Sequence, residues 1–79
     1  MSNTPHQLHE EFPEQAQAIH LLKAKDAHFA RLVEAYHDTN RAVHRAETRV
    51  DTLSAEAETA LRHTRMRLKD DIWKVLQAA

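Results

Sequence analysis

The sequence predicts an all-α protein: an antiparallel, coiled-coil-like helical hairpin with an N-terminal helical extension. Three observations predict it. A seven-residue apolar row runs through Leu22, Phe29, Tyr36, Val43 and Val50, and a second row, Leu61, Leu68 and Val75, follows after a break. The chain contains no glycine, and no proline after Pro13. Between the rows, Asp51-Thr52-Leu53-Ser54 is the one plausible turn. Apolar residues at this spacing line one face of a helix, and that face must be covered by another helix.

The elements follow in order. Residues 1–12 read as a flexible tail: they are polar, carry His6 and His9, and show no period. Residues 13–79 form a single helical-hairpin domain. Pro13 suits a first helical turn, where its missing N–H is not needed, and Glu14 places negative charge at the favourable end of the helix dipole. A first helix is expected over 13–24, with Ala18, Ile19 and Leu22 on one side. Asp26 is a good N-cap and predicts a bend or one-turn break at Lys25-Asp26. The heptad phase nevertheless continues from Leu22 to Phe29.

A second helix is expected over 27–51. Its stripe of Phe29, Leu32, Val33, Tyr36, Asn40, Val43, Glu47 and Val50 advances by threes and fours, and Ala27, Ala30, Ala35, Ala42 and Ala46 favour helix. Ser54 can cap the last helix, expected over 55–77, and Glu56 and Glu58 suit its positive end. Ala57, Leu61, Thr64, Leu68, Ile72, Val75 and Leu76 should face inward. Pairing the long helices about the turn sets Val43 beside Leu61, Tyr36 beside Leu68, Val33 beside Ile72 and Phe29 beside Val75. Asn40 falls opposite Arg65. A continuous rod fits less well, because sevens counted on from Val50 reach Ala57, Thr64 and Asp71 instead of the leucines.

Composition bounds the function. Seventy-nine residues allow one domain, stabilised by an efficient core, a metal or a partner. Without cysteine there are no disulfides and no thiolate metal sites, which fits a reducing compartment. A net charge of −1 is not the profile of a dedicated nucleic-acid binder. The start, Met1-Ser2-Asn3-Thr4-Pro5, lacks the basic and apolar regions of a secretory signal, and no apolar run approaches the ~20 residues that span a bilayer. A cytoplasmic protein is expected.

The pattern His20-x-Leu22-Lys23-x-x-Asp26-x-x-Phe29-x-x-Leu32-x-x-x-Tyr36 resembles the YdcH-like family of small uncharacterised bacterial proteins. Asn40-x-x-Val43-x-Arg45-Ala46-Glu47 and Arg67-Leu68-Lys69-Asp70-Asp71-Ile72 resemble it too, so that the resemblance covers roughly residues 13–76. It implies a bacterial helical hairpin of coiled-coil type and no established activity. Thr39 departs from the pattern, standing where a larger apolar residue is usual. Trp73 replaces a common Tyr or Phe, with packing expected to survive.

Candidate sites are few. Leu22, Phe29, Leu32, Trp73 and Leu76 gather at the open end, away from the turn. Either the N-terminal helix folds over them or a second copy does; a homodimer, or another helical protein, is the favoured occupant, with these five residues as the partner-binding set. The alternative function is a nucleic-acid accessory role through Arg62, Arg65 and Lys69, which share a helix side and could grip phosphates. Asp70 and Asp71 oppose that reading, and no aromatic residues interleave to stack bases. The plainer role for these cations is pairing with Glu47, Asp38 or Glu34 across the hairpin.

The seven histidines suggest no metal site: His6 and His9 could share an ion only if helical, and His37 and His44 lie about 10.5 Å apart along a helix. Their titration near neutral pH could alter association. Neither Lys69-Asp70-Asp71 nor Ser54 has a catalytic setting, so no enzyme, cofactor or small-molecule substrate is expected. Asn40, polar at an inward position, can fix register or oligomeric state.

Overall fold

The structure is a computed structural model and describes residues 5–78. Its elements are α1 (Leu8–Glu11), a 3₁₀ turn (Pro13–Gln15), α2 (Ala16–Lys25), α3 (Ala27–Glu47) and α4 (Ala55–Ala78). Helices α3 and α4 form the long pair, and the shorter N-terminal elements lie against its open end. There is no strand among the described residues, and no helix is long and apolar enough to cross a membrane.

Local chemistry sets the boundaries. Asp26 leaves helical geometry at φ −124 and ψ 106, and its Oδ1 accepts the Phe29 N–H at 3.1 Å. This N-cap produces the break expected at Lys25-Asp26, while the heptad phase keeps Leu22 and Phe29 on the same core. Ser54 Oγ accepts the Ala57 N–H at 3.1 Å and opens α4 as expected. The hairpin register holds at its polar layer, where Arg65 Nη1 donates to Asn40 Oδ1 at 3.1 Å.

Three expectations need correction. Helix α3 stops at Glu47 rather than 51. Arg49 adopts φ 66, the Val50 N–H reaches back to the Arg45 carbonyl at 2.9 Å, and the Arg49 N–H reaches the Ala46 carbonyl at 3.3 Å. These two bonds and the left-handed residue make a Schellman ending. Val50, counted in the apolar row, is therefore cast out of the hairpin and is 71% exposed. Thr64 is also exposed instead of inward, and its hydroxyl donates to the Ala60 carbonyl at 3.0 Å.

The third correction concerns the tail. From Pro5 onward, the stretch expected to be loose is folded and packed; Met1 to Thr4 fall outside the described residues. His6 adopts φ 62, and the bend offers two successive carbonyls to α3. Tyr36 donates its hydroxyl to the His6 carbonyl at 2.5 Å, and Asn40 Nδ2 donates to the Pro5 carbonyl at 2.8 Å. Leu8 is 3% exposed and joins Ile19, Phe29, Val33, Tyr36 and Ile72 in one core cluster. Burying such a leucine contributes about 1.5–3 kcal/mol, one part of what offsets the entropy of ordering the segment. Lys69 Nζ donates to Glu11 at 3.0 Å, and the Phe12 and Trp73 rings stack with centroids 5.4 Å apart.

Candidate interaction face

The folded N-terminal stretch, residues 5–12, straps the open end of the hairpin and decides which apolar residues remain available. Phe29, expected at a docking surface, is 0% exposed and belongs to the core; Leu8 and Ile19 share its cluster. It is removed from the partner-binding set. Leu22, Leu32 and Leu76 are half-buried and packed against the same cluster. Trp73, stacked on Phe12 by one face, is 40% exposed. Of the two occupants envisaged for the open end, the chain's own N-terminal segment covers the core part.

What stays open is a face made by α2 and α4. A shallow cleft of about 270 Å³ is lined by Gln15, Ala18, Leu21, Leu22, Lys25 and Leu76. A neighbouring cleft of about 430 Å³ shares Gln15 and is bordered by Phe12, Pro13 and Trp73, with Glu11, Glu14, Lys69 and Asp70 around it. Leu21 is 50% exposed. Sequence reasoning missed Leu21 because it stands one residue off the heptad row; its spacing from Ala18 and Lys25 was the available signal.

Arg62, Arg65 and Lys69 are engaged within the chain. Arg62 donates through Nε and Nη2 to Glu47 Oε2, at 3.3 and 3.1 Å, and lies 3.7 Å from Glu58. Arg65 is held by Asn40 and Lys69 by Glu11. Glu47 is the cross-hairpin partner expected for Arg62. Asp38 instead pairs within α3, with Arg41.

The electrostatics follow from these contacts. The hydrogen bond from Lys69 holds the Glu11 carboxyl below its ordinary range, with the Lys69 charge and His6 adding to the effect against a smaller opposing burial. Burial pushes the Tyr36 hydroxyl up to about 12, so that it keeps its proton and remains a donor to His6. Burial also lowers His37, helped by the positive charges of Lys23 and Arg41. His37 lines a third cleft, between α3 and the N-terminal elements, with His9, His20 and Lys23. Among the described residues no three His, Asp or Glu side chains are grouped to hold a metal ion.

The fold and this face define a small helical-hairpin protein with a strapped N-terminus. The chain belongs to the family described as a protein of unknown function (DUF465), whose model matches residues 29–76. YdcH-like proteins are members of that family, as the sequence resemblance implies. The match spans α3, the turn and most of α4, and the strap lies outside it. No curated protein and no solved structure matches the chain.

Proposed function

We propose that this chain is a non-catalytic protein–protein interaction module that docks a helix of another polypeptide on the face of α2 and α4. The observation that carries the reading is the placement of Leu21 and Trp73. Two large apolar side chains, each 40% or more exposed, border two clefts that meet at Gln15: Leu21 stands with half-buried Leu22 and Leu76 in one, and Trp73 with Phe12 and Pro13 in the other. An apolar cleft with charged residues at its edge suits an amphipathic helix, whose apolar stripe fills the floor while its polar side stays wet. The absence of cysteine is in keeping with a cytoplasmic setting for such a module.

The nucleic-acid reading ranks behind it. Arg62, Arg65 and Lys69 each already have a partner within the chain, and releasing them for phosphates would sacrifice those contacts. A photo-crosslinking amino acid placed at Leu21, at Trp73 and, as a control, at exposed Arg41 tests the docking face in cells. Adducts of one defined mass from positions 21 and 73, with none from position 41, are expected. Adducts equally frequent at all three positions, or absent from all, would overturn the reading.

A further inference from the structure

We infer that the polypeptide docked on this face is a second copy of the same chain, packed through α2 about a two-fold axis. The inference rests on the docking face just proposed and names its occupant. Ala18, Leu21 and Lys25, at spacings of three and four, form a single stripe on α2, and Glu14, four residues before Ala18, stands in the 3₁₀ turn that leads into it. All four are exposed. Among the described residues, neither Glu14 nor Lys25 makes an ion pair within the chain.

The stripe is complementary to itself when reversed. Set antiparallel to its copy, with the axis midway between Ala18 and Leu21, the large Leu21 meets the small Ala18 of the other chain, twice. Glu14 then meets Lys25 of the other chain, also twice. Each Leu21 enters the shallow cleft beside Ala18, whose walls include Leu22 and Leu76. A parallel arrangement would instead put Glu14 against Glu14 and Lys25 against Lys25. An isologous contact needs this palindromic order of size and charge, whereas docking of an unrelated helix does not.

Sedimentation velocity on the full chain tests the inference. A reversible dimer is expected, with Leu21→Asp abolishing it while the far-ultraviolet helical signal is kept. Glu14→Lys alone and Lys25→Glu alone each turn two attractive pairs into repulsive ones and should weaken association about tenfold or more. The double variant E14K/K25E restores both pairs. A mixture of the two single variants should form a heterodimer, since the all-positive stripe of one then faces the all-negative stripe of the other. A chain that is monomeric at every concentration up to about 1 mM, or single variants that associate like the parent, would overturn this assignment. If the crosslinker at Leu21 still captures a discrete different protein, the docking face survives and only the identity of its occupant falls. If it captures nothing, both fall.

Discussion

Tyr36 and His6, thirty residues apart, are joined by a hydrogen bond of 2.5 Å from the tyrosine hydroxyl to the histidine's backbone carbonyl. Asn40, one helical turn on, makes the parallel bond to the Pro5 carbonyl at 2.8 Å. Both side chains occupy inward positions of α3, where a purely apolar stripe would otherwise stand. Their polar atoms are not defects in the seam between α3 and α4. They are the anchors by which the hairpin holds its own N-terminal segment.

Tyr36→Phe keeps the ring's packing and removes the anchor. The expected loss is about 0.5–1.5 kcal/mol in urea denaturation, because solvent can partly replace the lost donor at exposed His6. Amide exchange of Leu8 to Glu11 should quicken. The raised hydroxyl adds a pH signature. Its contribution is complete below the ordinary value of 10.0 and is lost as pH rises towards about 12, where the folded form also ionises. The variant should lack this component of alkaline destabilisation.

Leu8→Ala tests the apolar half of the same strap. Leu8 is 3% exposed, and truncations of this kind cost about 2–5 kcal/mol when the whole fold depends on them. If the strap detaches while the hairpin stays formed, the measured cost falls at the lower end. The single tryptophan, Trp73, stacks on Phe12 and so reports on detachment. Its emission should shift to the red in the variant with little change in helical signal. A red shift accompanied by full loss of the helical signal would show that strap and hairpin unfold as one unit.

Asn40 was a candidate for fixing register or oligomeric state. Its amide nitrogen serves the Pro5 carbonyl and its oxygen accepts from Arg65, so both ends are used within one chain. Asn40→Leu strands the carbonyl and frees the Arg65 head. A loss of about 1–3 kcal/mol is expected. Light scattering should return the same mass as for the parent, which separates a role in hairpin register from one in oligomeric state.

The heptad rows make α3, α4 and their register legible because each layer is a contact between side chains that the sequence names. Asp26 and Ser54 are legible for a similar reason: an N-cap is a side-chain function. The strap was not legible, because two of its main bonds end on the backbone carbonyls of Pro5 and His6, which any residue would supply. Leu8 and Phe12, four apart, were the faint trace it left. The burial of Phe29 was missed along with it. The end of α3 was hidden for another reason: the apolar row carries on to Val50, while the left-handed turn at Arg49 falls on a residue with no preference for that shape.

Acid should loosen the strap through His37. Its pKa lies below the ordinary 6.5, first because of burial and then because of Lys23 on α2 and Arg41 on α3, with His9 adding positive charge and Asp38 opposing. His20 lines the same cleft. A depressed value means that the unfolded chain takes up the proton first. The stability contribution is therefore present above 6.5 and is lost as pH falls through the folded value. Urea midpoints should drop between about pH 7.5 and pH 5.5, and His37→Gln should flatten that part of the profile.

Arg49 offers the opposite kind of substitution, one expected to stabilise. It takes the left-handed position of the Schellman ending at φ 66, a place usually filled by glycine, in a chain that has none. A residue with a Cβ is disfavoured there by about 1–2 kcal/mol. Arg49→Gly relieves that penalty but adds freedom to the unfolded chain, which takes back about 0.4–1 kcal/mol. The lost ion pair matters little: Arg49 is 84% exposed and stands 3.9 Å from Glu58. A net gain of about 0.5–1 kcal/mol should appear as a higher urea midpoint with an unchanged slope. A lower midpoint would mean that Arg49 holds the turn through contacts its backbone shape does not explain.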